Sequence, residues 1–148
     1  MYTRILVGID GSEASVRGLD EAIRVAKATG GTLLLVHVVN ELISADIVAY
    51  EKVIEQLRQG GAKILEEALT HVRRSDVACE QKLLDSFGER PADLIVKEAK
   101  AWPADLIVLG RHGRKGLKRL ALGSDAELVL RMSPVPLLLV RSAPETSK

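Results

Sequence analysis

At 148 residues, 47% hydrophobic but only 3% aromatic, the chain is long enough to bury one sizeable core, and that core must be aliphatic. Its 21 basic and 20 acidic residues leave a net charge of +1, so no overall field draws nucleic acid or an anionic membrane, and any anion site has to be local. The single cysteine excludes an intramolecular disulfide, and no apolar run has the length of a membrane span or the pattern of an export signal, so a soluble, cytoplasmic protein is expected.

The first apolar run, Ile5 to Ile9, has strand length and no polar alternation, as expected of a parallel strand covered on both faces. Asp10-Gly11-Ser12 closes it, and a helical period follows with Val16, Leu19, Ala22, Ile23 and Ala26 on one face. Ser12 or Ser15 is placed to cap that helix, and Gly30-Gly31 to stop it. Leu33 to Val39 reads as a second buried strand, in which His37 is expected to be a hydrogen-bonded core histidine.

A long helix is expected from Ile47 to Val72, with Ile54, Leu57, Ile64, Leu65, Ala68 and Val72 near one stripe and Gly60-Gly61 interrupting or bending it. His71 on that helix has no cysteine at ligand spacing, which argues against zinc. Val77 to Leu84 alternates apolar and polar residues, as an edge strand does, and Cys79 within it reads as a small buried hydrophobe. Pro91 opens a third helix with Ala92, Ile95, Val96 and Ala99 on one side. Ala101-Trp102-Pro103 ends it, and Trp102 is expected to lie over its end as an apolar lid.

Leu106 to Leu109 is a fourth buried strand. Ser124 to Met132 is a short helix with Ala126, Val129 and Leu130 inward, and Val135 to Val140 is the last strand. Strand alternates with helix throughout without a linker or repeat, so the expectation is one α/β domain over residues 1–141 and a flexible tail over 142–148. In such sheets ligands settle outside the carboxyl ends of the strands.

The loop after the fourth strand, GRHGRKGLKRLALGS, carries the clearest chemical signal. Glycine permits positive φ and lets a phosphate approach backbone amides without a Cβ in the way. Gly123-Ser124 opens a helix whose unpaired N–H groups and dipole favour an anion, and the Ser124 hydroxyl can donate to phosphate or cap the helix. Arg111, Arg114, Lys115, Lys118 and Arg119, with His112, surround these glycines with no acidic residue between Gly110 and Ser124. Asp10, at the end of the first strand, is placed either to accept from an adenine amino or ribose hydroxyl group or to cap its own turn.

GRHG, a nine-residue spacer and GS resemble the G-x2-G-x9-G-S/T nucleotide motif of ATP-binding universal stress proteins. ILVGIDGS, GERPADLIVKEAKAWPADLIVLG and PVPLLLVR are similar to other segments of that family, so the resemblance runs from about Arg4 to Arg141. It implies a Rossmann-like, five-stranded parallel sheet of order 3-2-1-4-5 with helices on both faces. It also implies ATP, AMP or ADP held by Asp10, the main chain around Val38 and Val39, and Leu109, Gly110, Arg111, His112, Gly113, Gly123 and Ser124. Mg²⁺ or Mn²⁺ would be held through the phosphates, and a homodimer would form through Val135 to Val140. Arg111 fills a position often taken by a small hydroxyl residue in that family, and Asp125 follows Ser124 where its charge opposes a triphosphate.

The expected function is nucleotide sensing or regulation in a stress response, with at most slow ATP hydrolysis. Two alternatives keep the same fold: a scaffold that binds no nucleotide, against which the complete glycine motif counts, and an ATP α-hydrolase-like enzyme, for which no second substrate site is visible. A phosphoreceiver domain, with Asp10 and Asp85 as its acidic residues, lacks the second acid beside Asp10, because Ile9 stands there. It also lacks the hydroxyl and lysine that should end the fourth and fifth strands, where this chain has Gly110 and Arg141.

Overall fold

The aliphatic runs occupy the middle of a sheet because neither of their faces is polar enough to meet water. The computed structural model describes residues 1–39, 47–86, 88–111 and 122–142. Its elements are β1 (Arg4–Gly8), α1 (Glu13–Thr29), β2 (Thr32–Val39), α2 (Ile47–Arg73), β3 (Ala78–Asp85), α3 (Pro91–Ala101), β4 (Leu106–Gly110), α4 (Ser124–Met132) and β5 (Leu137–Val140). The strands form one five-stranded sheet of order β3-β2-β1-β4-β5, and every neighbouring pair is parallel. The order implied by the family resemblance is therefore the order found.

Successive residues of each strand point to opposite faces and feed two cores. Ile5, Val7, Leu33, Leu35, Leu106 and Val108 pack with α1 and α2, whereas Leu6, Leu34, Val36, Ile107 and Leu109 pack with α3 and α4. Burying each such side chain contributes about 1.5–3 kcal/mol, so both layers are needed to offset the entropy of ordering the chain. Trp102 lies against the second core as expected, with the Arg4 guanidinium 4.0 Å above its ring.

Three helix stripes are narrower than the periodicity implied. α1 meets β4 along its smallest residues: a Cβ built on Gly18 would lie 3.6 Å from Val108 Cγ1 and 3.7 Å from Gly110 N. That close line of contact turns Val16 outward, to 48% exposure. Leu57 on α2 and Leu130 on α4 are likewise exposed rather than inward. Of the two cap candidates Ser12 is the cap, its Oγ accepting from Ser15 N–H at 3.1 Å, and Gly30 stops the helix in the left-handed conformation (φ 72°).

Gly60-Gly61 does not interrupt α2, which is continuous from Ile47 to Arg73. Gly60 faces open space, while Gly61 is where the helix crosses the sheet: a Cβ there would stand 2.6 Å from His37 Cδ2 and 2.9 Å from Leu83 Cδ1. His71 pairs with Asp20 of α1, Nε2 to Oδ1 at 2.7 Å. At the far edge β5 begins at Leu137 rather than Val135, because the Val135 carbonyl is taken by the Ser133 hydroxyl at 2.6 Å. Pro136 has no N–H to give the ladder, although its carbonyl accepts from Ile107.

β3 is the opposite edge strand, as its alternation implied, and for that reason Cys79 is half-buried rather than buried. Burial pushes its thiol up from 9.0 to about 11, with Arg73 opposing the rise in part. The raised value favours the unreactive thiol over the thiolate. Near pH 8 the smaller thiolate fraction outweighs the greater nucleophilicity of a high-pKa thiolate, so the folded chain is expected to react with a disulfide reagent about tenfold more slowly than the urea-unfolded chain. Equal rates in the two states would contradict this placement.

Candidate functional site

β1 lies at the middle of the sheet, and the chain winds outward from it in both directions, to β2 and β3 on one side and to β4 and β5 on the other. This is the topological switch point, where the loops after β1 and β4 leave in opposite senses and open a crevice. The ladder register between β1 and β2 ends at Gly8↔Val36, after which Ile9 N–H still reaches the Val36 carbonyl at 2.8 Å. Gly11 then turns the chain with φ 82°, a conformation that glycine adopts without strain. Asp10 sits at the top of this turn, its Oδ1 accepting from Ser12 N–H at 2.9 Å. Its carboxylate thus performs the turn-capping role that the sequence offered as one alternative.

The neighbouring strand ends in Leu109-Gly110, and its continuation is pinned twice. Arg111 N–H donates to the Val140 carbonyl at 2.7 Å, and Gly123 N–H donates to the Arg111 carbonyl at 2.9 Å. The two ends of the basic loop are therefore held together beside β4, whatever path the loop takes between them. His112 and Gly113, with Arg114, Lys115, Lys118 and Arg119, lie outside the described residues.

Gly123 is the N-cap of α4 at φ −60° and ψ 146° and brings no side-chain acceptor to the first-turn amides. Ser124 is consequently the first helical residue, not the cap, and is exposed, as is Asp125 after it. Neither Gly110 nor Gly123 has positive φ; among the described glycines only Gly11, Gly30 and Gly88 do. Gly110 is required for another reason. A Cβ there would stand 2.8 Å from Ala14 C and 2.9 Å from Ser15 N, so the start of α1 packs directly onto the end of β4.

On the other side of Asp10, the peptide groups of β2 alternate in direction. Val36 offers its carbonyl to β1, and Val39 offers its carbonyl to the β3 side, where Ser86 N–H and Oγ both donate to it at 3.1 and 2.9 Å. By the same alternation Val38 presents its peptide groups toward β1, beyond the point where β1 has left the ladder. Of the two β2 residues singled out by sequence, Val38 turns its peptide groups to the β1 side, while the Val39 carbonyl is already engaged. Ser86, 2% exposed, was invisible to sequence reasoning because its partner lies 47 residues away.

With this geometry, residues 1–141 match the sequence profile of the universal stress protein family. The chain belongs to that family. The universal stress protein YxiE of Bacillus subtilis (strain 168) is 34% identical over 151 residues, spanning 95% of this chain and all of YxiE. Among solved structures, that of the protein MJ0577 superposes with a TM-score of 0.84 at 25% identity over 99% of each chain. The universal stress protein of Archaeoglobus fulgidus, solved in complex with dAMP, superposes with a TM-score of 0.67 at 25% identity over 94% of this chain and 98% of that one. Some universal stress proteins therefore hold an adenine nucleotide on this fold.

The strand order of this universal stress protein also separates the two acids that a phosphoreceiver would need together. Asp85 ends the edge strand β3, with all of β2 between it and β1, and pairs with Arg58 of α2 at 3.0 Å. Among the described residues no helix is long and apolar enough to cross a membrane.

Proposed function

We propose that this universal stress protein binds an adenine nucleotide, ATP or its products AMP or ADP, between the ends of β1 and β4, and acts in the cytoplasm as a nucleotide-dependent sensor or regulatory dimer with at most slow hydrolysis. The observation that carries this reading is the Gly123–Arg111 bond, which brings a helix mouth without a side-chain cap to the end of the strand beside β1. The first-turn amides and the helix dipole then favour phosphate, each such interaction contributing about 0.3–1 kcal/mol when exposed. Gly110, Gly113 and Ser124 border the phosphates, and the five cations from Arg111 to Arg119 supply the local positive charge. Asp10 and the Val38 main chain face the adenine and ribose.

Mg²⁺ or Mn²⁺ would be held through the phosphates. The edge strand β5, whose residues are all half-buried, is the surface through which a second copy would pair. The sequence suggests no general base or transition-state clamp for fast hydrolysis, which favours this reading over an ATP α-hydrolase. Calorimetric titration with ATP, ADP and AMP, with and without Mg²⁺, together with acid extraction of the protein as purified, tests the proposal. Saturable binding of one adenine nucleotide per chain is the expected result. Absence of binding to all three would leave the scaffold reading, and steady release of AMP and pyrophosphate would favour the hydrolase.

A further inference from the structure

We infer that His37 is a positioning residue of the nucleotide site, one that fixes the peptide between Ile9 and Asp10 and thereby the carboxylate-bearing turn that faces the ligand. The inference rests on the adenine-nucleotide reading above. His37 Nδ1 lies 2.7 Å from the Ile9 carbonyl, one residue beyond the end of the β1–β2 ladder register. A carbonyl only accepts, so Nδ1 carries the proton in this contact. The N–H of the same peptide, on Asp10, donates to Ser15 Oγ at 3.3 Å, and Ser15 is 2% exposed. Both ends of that peptide are therefore gripped by side chains from different elements, β2 and α1, where the β-ladder no longer holds it.

The grip is itself braced. α2 passes so close that a Cβ on Gly61 would lie 2.6 Å from His37 Cδ2 and 3.0 Å from Nε2, and Leu83 of β3 closes the same slot. An aliphatic residue at position 37 would fill this space equally well, but it would leave the Ile9 carbonyl without its donor just before the residue whose direction matters. A side chain that only completes the core would not need a proton on Nδ1.

The test compares ATP affinity, measured by titration calorimetry, in the parent chain, His37→Leu and His37→Asn. The Asn amide nitrogen is bonded to Cγ as Nδ1 is, so it restores the donor. At least tenfold weaker binding in His37→Leu, with binding within about threefold of the parent in His37→Asn, upholds the inference. Parental affinity in His37→Leu overturns it, as does equal loss in both variants with their melting temperatures unchanged.

If the parent chain binds no ATP, the nucleotide reading fails separately, and amide exchange decides the grip. Faster exchange at Gly11 and Ser12 in His37→Leu, restored in His37→Asn, supports it, and unchanged exchange refutes it. Nitrogen NMR of the parent ring gives a readout independent of any variant's folding: a ring protonated only on Nε2 would also overturn the inference.

Discussion

Gly110→Ala is expected to lower the stability of the folded chain by about 3 kcal/mol, near the upper end of the cost of overpacking a core. The added methyl would stand 2.8 Å from the carbonyl carbon and the Cβ of Ala14 and 2.9 Å from Ser15 N. Two of these atoms belong to the backbone of the first turn of α1 and cannot rotate away, so the helix must lift off β4. Lifting that turn also moves Ser12 and Ser15, which hold Asp10 in place, so weaker nucleotide binding is expected alongside the lost stability.

Gly60→Ala serves as the opposing control in the same chain. Nothing lies within 4 Å of a Cβ at Gly60 inside α2, and the substitution is expected to raise stability by about 0.5–1 kcal/mol through helix propensity. Equilibrium urea unfolding reads both effects. Equal midpoints for Gly110→Ala and the parent would mean that α1 does not rest on β4 as described.

The contrast between these glycines also shows where sequence reasoning stops. The doubly covered strands Ile5 to Ile9, Leu33 to Val39 and Leu106 to Leu109 were legible because burial on both faces leaves an uninterrupted aliphatic run, and each corresponds to an observed strand within a residue or two. Helix stripes were less legible. Periodicity gives an axis for a stripe but not its width, and the tight approach of α1 at Gly18, which leaves Val16 in solvent, depends on which strand lies beneath.

The glycines were the least legible of all. Gly61 reads as a helix breaker from its neighbours in sequence, but its reason is a histidine ring from β2, and Gly110 reads as an opening for phosphate although the start of α1 already demands it. The glycine motif and the strand order still place Gly110, Gly123 and Asp10 at one edge of the sheet, because a strand, a loop pinned at its base and a helix start follow one another along the chain. Contacts that bridge distant segments, such as Ser86 to Val39 and His37 to Ile9, leave no such trace.

Gly123→Val is expected to weaken ATP binding by at least about 100-fold, a loss of about 2.7 kcal/mol, while leaving the fold intact. Its backbone, at φ −60° and ψ 146°, lies in the extended region that valine adopts readily, and the N–H that reaches the Arg111 carbonyl is kept. The substitution therefore keeps the Gly123–Arg111 bond and adds an isopropyl group at the mouth of α4, where the proposed phosphate would come within hydrogen-bonding distance of the amides. Gly113→Val in the basic loop is expected to act in the same direction. Ser124→Ala removes only one hydroxyl and should cost about tenfold. Titration calorimetry gives the affinities, and circular dichroism with thermal melting verifies the fold. Since Gly110→Ala disturbs stability and binding together, whereas Gly123→Val should disturb binding alone, parental ATP affinity in both valine variants would show that the nucleotide does not use this loop.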